Sequence, residues 1–256
     1  MKALILSDLH IYFWWNQNEV DDYKRLISNI TSDKEFDCII ISGDIFEHDL
    51  IGTSKNPYKF LSDIFNVNVP IICCLGNHEF AYKSVDEVHT WFNSFKDRYN
   101  VHLLDIEGHY TYNGFNFVGN VFWYDNTLAN NLLAKPDYIV KNWLDSSIED
   151  FIPSVENRIC RKQILDNTSI EYPNILITHT VPHWKLNWFS IHQPESLYNQ
   201  YSGCKDFLIE LKNYKWCFCG HTHRRMTDEI YGINCFNIGN DYLRQYNEVK
   251  YEIVEL

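Results

Sequence analysis

The chain has eight cysteines but no Cys-x-x-Cys pair. That absence argues against a disulfide or zinc framework. Several of the cysteines, among them Cys38, Cys73, Cys74 and Cys217, lie inside apolar runs, where cysteine acts as a small hydrophobe. All eight, with Cys160, Cys204, Cys219 and Cys235, are read as reduced thiols of a cytoplasmic protein. Basic residues are also scarce: 22 Lys and Arg stand against 34 Asp and Glu, a formal charge of −12. Such a surface does not coat nucleic acid by neutralising phosphates. It does admit a phosphate-containing substrate where bound divalent cations reverse the local sign. Long apolar runs are missing as well. Only Ala3-Leu4-Ile5-Leu6 separates Lys2 from Ser7 and Asp8, too short for a signal core, and nothing approaches the length of a membrane span. No internal repeat or low-complexity tract is present.

What is abundant is core material: 45% apolar residues, with 17 Tyr, 16 Phe and 8 Trp. The central stretch is Cys38-Ile39-Ile40-Ile41-Ser42-Gly43-Asp44. A short unbroken apolar run closed by a turn signal reads as a strand buried on both faces, and Gly43 lets the chain bend and deliver Asp44 at its carboxyl edge. The same pattern recurs. Ala3 to Ser7 runs into Asp8-Leu9-His10, and Val69 to Leu75 runs into Gly76-Asn77-His78-Glu79. Ile175 to Thr178 runs into His179, and Lys215 to Cys219 runs into Gly220-His221-Thr222-His223. In open α/β sheets that edge is where chemistry sits. Because these strands span residues 3–219, residues 1–256 are expected to form one domain, with insertions near 121–170 and 181–202.

Between the strands, Glu19–Ile30 and Tyr58–Phe65 have helical spacing, and an aromatic loop covers Tyr12 to Trp15. Ser84 and Glu87 form a capping-box pattern ahead of a helix with Val88, Trp91, Phe92 and Phe95 on its apolar face. Val101–Leu104 reads as a strand, and Tyr110–Val118 as a hairpin turning at Asn113-Gly114. Residues 121–170 read as mostly helical. Strands are expected at Met226–Ile230, Ile233–Ile238 and Lys250–Val254. This switch to antiparallel strands predicts an α/β sandwich of two packed mixed sheets flanked by helices, in four layers. The long aromatic loop after His179, with Trp184, Trp188 and Phe189, is a candidate substrate wall.

The strand ends collect Asp8, His10, Asp44, Asn77, His78, His179, His221 and His223. Carboxylate and imidazole donors without thiolate suit Mn, Fe, Zn, Co or Ni. They are more donors than one tetrahedral ion takes and fit two ions sharing a ligand. A carboxylate bridges two ions through its two oxygens, and Asp44, on the central strand, is the choice for that place. Asp-x-His, Gly-Asp, Gly-Asn-His-Glu, a lone His after a buried strand, and Gly-His-x-His, in that order from Asp8 to His223, resemble the calcineurin-like metallophosphoesterases.

The resemblance implies that Asp8, His10 and His223 hold one ion and that Asn77, His179 and His221 hold the other, with Asp44 bridging. Two ions about 3.5–4 Å apart would position a bridging hydroxide for in-line attack on phosphorus. It gives His78 the role of binding the phosphate and assisting the leaving group, with Glu79 as its orienting partner. His183, Trp184 and Tyr124 are expected to line the substrate site. Trp123-Tyr124-Asp125 resembles a Gly-x-x-x-Trp-x-Asp segment of small family members, although Trp123 itself reads as core. His48, His89, His102, His109 and His192 are read as ordinary residues.

Departures from subfamilies narrow the substrate. Gly43-Asp44-Ile45-Phe46-Glu47-His48-Asp49 lacks the Arg that protein Ser/Thr phosphatases carry there. Lipid A diphosphate hydrolases have Arg in place of His78, and SbcD-type exonucleases add a basic DNA-contacting surface. The expectation is a cytoplasmic, two-ion (Mn first) hydrolase of a small or nucleotide-like phosphodiester, with no membrane partner. A phosphomonoesterase, a nuclease whose partner protein supplies the basic surface, and an inactive metal-binding scaffold are the alternatives.

Overall fold

The apolar runs that end in Asp, Asn or His all form strands, buried along most of their length in a computed structural model that describes residues 1–11, 17–32, 34–129, 137, 139–240 and 249–256. β1 (Lys2–Leu6), β2 (Cys38–Ser42), β3 (Ile71–Cys74) and β4 (Val101–Leu103) run parallel in that order. β5 (His109–Tyr112) and β6 (Phe115–Asn120) form the hairpin, whose turn places Asn113 at φ 52° and Gly114 at φ 83°. Positive φ at both central positions matches the right-handed twist of the flanking strands. β7 (Asn174–Thr178), β8 (Tyr214–Cys219), β9 (Met226–Ile230) and β10 (Ile233–Asn237) complete a second sheet in the order β5-β6-β7-β8-β10-β9, antiparallel at both edges. β11 (Glu252–Glu255) returns to the first sheet antiparallel to β1.

Side-chain alternation splits these strands between two cores. Ile5, Cys38, Ile40, Ile72 and Cys74 of the first sheet meet Phe117, Ile175, Ile177 and Phe218 of the second. Leu4, Leu6, Ile39 and Ile41 face the other way, under helices α1 (Gln17–Thr31) and α2 (Pro57–Phe65), whose Ile27, Ile30, Leu61 and Ile64 join them. Fully burying each such Leu or Ile is worth roughly 1.5–3 kcal/mol, which is why the runs carry no polar interruption until the strand ends. All eight cysteines are buried and none is joined in a disulfide.

The shorter helices are α3 (Asn77–Phe80), α4 (Val85–Asn93), α5 (Leu104–Glu107), α6 (Pro153–Asp166), α7 (Trp188–His192) and α8 (Asn199–Ser202). Asn56 caps α2 by accepting from Tyr58 N and Lys59 N at 2.9 and 3.2 Å. Ser84 caps α4, accepting from Glu87 N at 3.2 Å, but the Glu87 carboxylate pairs with Lys83 at 2.8 Å instead of reaching back to complete the box.

The reading of 121–170 as mostly helical is corrected. From Val121 to Ile152 the described chain forms only one 3₁₀ turn, Leu144–Ser147, and regular helix begins with α6. Its aromatic side chains pack as isolated anchors: Trp123 and Tyr124 are fully buried, and Trp143 lies against Tyr201 with ring centroids 4.8 Å apart. The aromatic loop from Tyr12 to Trp15 lies outside the described residues.

Candidate metal centre

The carboxyl ends of β1, β2, β3, β7 and β8 meet at one rim, and the backbone there is bent sharply. Asp8, His10, Asp44, His221 and His223 have φ of 53°, 48°, 47°, 68° and 51°. A side-chain-bearing residue in this region costs about 1–3 kcal/mol and persists only where its surroundings fix it. Here the loops tie one another down: Asp8 N donates to Gly43 O at 3.1 Å, His10 N to Asp44 O at 2.9 Å, and Gly220 N to His179 O at 2.9 Å. Two glycines make room. A Cβ on Gly76 would lie 2.1 Å from Asp44 Oδ1, and one on Gly220 would lie 1.8 Å from Ser7 Oγ and 2.7 Å from Asp8 Oδ2.

The structure brings together every residue expected at the centre. Asp8, His10 and His223 form one group whose ligand atoms lie within 4.8 Å of one another; Asp44, His179 and His221 form another; His10, Asp44 and His78 form a third. Asp44 Oδ2 faces both sides, 3.3 Å from His179 Nε2, 3.7 Å from His10 Nε2 and 3.9 Å from His78 Nε2. Asn77 Oδ1 lies 3.1 Å from both His179 Nε2 and His221 Nδ1.

Outward hydrogen bonds fix how the imidazoles present themselves. His179 Nδ1 donates to Ser42 O at 3.0 Å and His221 Nε2 to Tyr201 O at 2.9 Å, while His223 Nδ1 donates to Asn240 O. His10 Nδ1 bonds Glu47 Oε1 at 3.1 Å. In each ring the other nitrogen is turned inward, the arrangement by which an outer carbonyl or carboxylate orients a metal-binding imidazole. Burial, reinforced by the neighbouring His179, pushes His221 down to about 3, so it is a neutral donor.

His78 differs from these. Its Nδ1 lies 3.0 Å from both oxygens of Glu47, and its ring keeps 17% of its surface exposed where Asp44 keeps 1%. Burial opposes its charge, but the carboxylates of Asp44 and Glu47 outweigh that and hold His78 up, at about 10. Glu47 is drawn down to about 2: burial would raise it, and the bonds from His10 and His78 overcome burial.

Several expectations are revised by this geometry. Glu79 does not orient His78. Its carboxylate accepts from Ile45 N at 2.7 Å, Phe46 N at 2.8 Å and Gly76 N at 2.8 Å, clamping the two loops that carry Asp44 and Asn77. As the third residue of α3 it reaches back over the helix start, and burial raises it to about 8. Glu47 takes the role instead. Tyr124 cannot line a substrate site, because it is fully buried among Trp123, Phe151 and Tyr201. His183 is buried too, its Nδ1 accepting from Lys185 N at 3.2 Å and its Nε2 3.7 Å from Asp206, so it braces the crossover after β7. Trp184, against the His183 ring, is 40% exposed.

Two carboxylates escaped the sequence reading. Glu47 had a usable signal, since it stands three residues after Asp44 in the same loop. Asp145 had none: it is 68 residues from Asn77, yet it is fully buried and its Oδ1 accepts from Asn77 Nδ2 at 2.7 Å.

Comparison with known proteins identifies a family and a fold. The family model described as calcineurin-like phosphoesterase matches residues 1–225. Among curated protein sequences none matches. The fold is similar to that of a phosphopantetheinyl hydrolase from Mycobacterium tuberculosis (TM-score 0.70, 15% identity, covering 99% of this chain and 95% of that one). It is also similar to the protein TT1561 of Thermus thermophilus (TM-score 0.56, 14% identity, 99% and 98%). A further similar structure is that of GAP50, the anchor in the inner membrane complex of Plasmodium (TM-score 0.50, 13% identity, 93% and 71%). Among the described residues no helix is long and apolar enough to cross a membrane.

Proposed function

The chain belongs to the calcineurin-like phosphoesterase family of metal-dependent phosphoester hydrolases, and we propose that it cleaves a small phosphodiester at a centre holding two divalent ions. The observation that carries this reading is Asp44 Oδ2, which faces His10 on one side and His179 on the other. The donor set fits such ions. Asp8 Oδ2 is buried with no hydrogen-bond partner, an expensive arrangement unless a cation completes it. Asp8, His10 and His223 would hold one ion, Asn77, His179 and His221 the other, and Asp44 both; Mn is the first candidate and Fe, Zn, Co or Ni the others. Bound there, the ions would supply positive charge for the phosphate oxygens and a nucleophilic water at neutral pH.

The protein's own residues do the positioning. The buried carboxylates and the outward-bonded imidazoles leave little freedom for the donors, so the charge pattern is organised before substrate arrives. His78 stands at the exposed edge, where its Nε2 can donate to a phosphate oxygen or to the departing oxygen, and Glu47 holds its ring through Nδ1.

A diester is favoured over a monoester by charge. Among the described residues no Lys or Arg pairs with Asp8, Asp44 or Glu47, which supports a substrate of lower charge than a monoester. The aromatic segment after β7 supports an organic substrate: the guanidinium of Arg224, the residue after His223 in the chain, lies 5.6 Å from the ring centre of Trp188. A nucleotide-like group is our first choice, acting in the cytoplasm. Metal-free protein reloaded with Mn should hydrolyse bis-p-nitrophenyl phosphate faster than p-nitrophenyl phosphate, and Asp8→Asn and Asn77→Ala should each abolish most of the rate. Faster monoester cleavage would move the assignment to phosphatase. Two ions bound with no hydrolysis of either ester, or of a phosphopantetheinyl ester, would leave a metal-binding scaffold. Cleavage of long polynucleotide only with an added protein would identify a nuclease subunit.

A further inference from the structure

Two segments that the sequence marks only as insertions meet behind one half of the centre. In the 3₁₀ turn Leu144–Ser147, Asp145 is fully buried and accepts twice: Oδ1 from Asn77 Nδ2 at 2.7 Å and Oδ2 from Trp143 Nε1 at 2.9 Å. Trp143 stacks on Tyr201 of α8, with centroids 4.8 Å apart and planes 24° apart, and Val140 N donates to the Tyr201 hydroxyl at 3.0 Å. Tyr201 in turn gives its carbonyl to His221 Nε2 at 2.9 Å. Asn77 and His221 are therefore held from behind by one packed unit. His10 and His223 are held elsewhere, by Glu47 and by the Asn240 carbonyl.

We infer that Asp145 is a positioning residue for one of the two ions: by accepting from the Asn77 amide nitrogen it turns the carboxamide oxygen toward the ion shared with His179 and His221. The chemistry leaves one orientation. An ionised carboxylate only accepts, so the NH₂ end of Asn77 must face it and the oxygen must face the centre. Without Asp145 the carboxamide loses the partner that distinguishes its two ends, and an inward NH₂ group cannot bind a cation. Outer partners of this kind change metal affinity by about 10–100-fold. The ion held by Asp8, His10 and His223 has no link to Asp145 and keeps its affinity. This inference rests on the two-ion reading.

Mn titration of the metal-free protein tests it, with Asp8→Asn and Asn77→Ala marking which ion is lost. Wild type should bind two ions. Asp145→Leu should weaken one of them about 10–100-fold, with the pattern of Asn77→Ala, and leave the other unchanged. The double variant Asp145→Asn with Trp143→Phe keeps one acceptor oxygen for Asn77 and removes the indole donor, while the Tyr124 hydroxyl beside Asp145 can accept from the new amide, so the variant should restore the weakened ion to within about threefold of wild type. The inference is overturned if folded Asp145→Leu binds both ions like wild type, if it weakens both alike, or if the double variant fails to restore the lost ion. Fewer than two ions in wild type would overturn the two-ion reading and the inference with it. If Asp145→Leu does not fold, the Asn77 side-chain amide of wild type decides, read by ¹H–¹⁵N correlation with and without Zn. One strongly shifted, exchange-protected proton supports the inference, and an averaged, freely exchanging pair overturns it.

Discussion

Replacing Glu47 by Gln should slow hydrolysis of an alkyl phosphodiester about 10–100-fold while both ions stay bound, because a hydrogen bond to a charged group is worth about 1.5–3 kcal/mol. The carboxylate serves two rings at once, His10 Nδ1 at 3.1 Å and His78 Nδ1 at 3.0 Å. Oε1 lies at these distances from both rings and Oε2 lies 3.0 Å from His78 Nδ1 as well, so in Gln the NH₂ group that replaces Oε2 meets the His78 N–H donor to donor and that ring must turn away. His10 is 3% exposed and has nowhere to turn, whereas His78 borders solvent and can exchange its bond for water. The remaining oxygen therefore stays with His10, and His78 is released. The defect should depend on the leaving group. A p-nitrophenolate departs without a proton, so bis-p-nitrophenyl phosphate should lose much less than an alkyl diester. The pH profile should move as well. His78 is held above its ordinary range by Asp44 and Glu47 against burial, so it is protonated below that pKa and loses its proton as pH rises through it. Removing the Glu47 charge lowers this pKa and brings the alkaline fall in kcat/KM to lower pH. The measurement is kcat and KM across pH for both esters, with metal content determined on the same samples. Equal losses on both esters, or an unmoved alkaline limb at full metal content, would refute the assignment. A missing ion would show that Glu47 acts through His10 instead.

Other perturbations have equally definite outcomes. Gly76→Ala places a methyl group 2.1 Å from Asp44 Oδ1, so metal content should fall sharply while circular dichroism keeps its α/β signature. Ser84→Ala removes the cap on α4, away from the centre, and should lower unfolding free energy in urea by about 1 kcal/mol with kcat unchanged. Asp105 bridges the two sheets, accepting from Leu75 N and Val121 N at 2.7 and 2.8 Å. Burial raises its carboxyl from 3.8 to about 7, so its contribution to stability is complete below about pH 4 and is lost as pH rises through 7. At 1.36 kcal/mol per pH unit that loss amounts to roughly 4 kcal/mol. Asp105→Asn should remove this component: the stability of wild type relative to the variant should decline between pH 4 and 7, and a difference independent of pH would refute the assignment.

The parts of this protein readable in its sequence are those fixed by short-range rules. Unbroken apolar runs had to be strands buried on both faces, because a polar side chain in Ile39–Ile41 would enter one of two cores. Asn113-Gly114 had to turn tightly, and Asp8, His10, Asp44, Asn77 and the three downstream histidines each follow such a run at a fixed offset. The stretch from Val121 to Ile152 gave no such signal. Its structure comes from single aromatic anchors packing on surfaces supplied by distant residues, as Trp143 does on Tyr201, and its apolar spacing imitates a helix that tertiary contacts do not make.

That difference explains why the donors were legible and their orienting partners were not. A donor must sit at a strand end, so sequence spacing constrains it; an orienting partner need only present an oxygen in the right place, from any element. Tyr201 and Asn240 do so with backbone carbonyls, which any residue type could provide, so side-chain identity carries no trace of the role. Glu79 shows the converse. Its place beside His78 suggested a partnership, yet a helix of one turn points consecutive side chains apart. Glu79 turns back to bind Ile45 N, Phe46 N and Gly76 N, while Glu47, from the facing loop, reaches the ring. The strained residues at the rim follow the same logic. Asp8, His10, Asp44 and His221 keep positive φ there because neighbouring loops bond them, Asp8 N to Gly43 O, His10 N to Asp44 O and His221 N to Asp8 Oδ1, and that support is a property of the assembled sheets rather than of any local stretch.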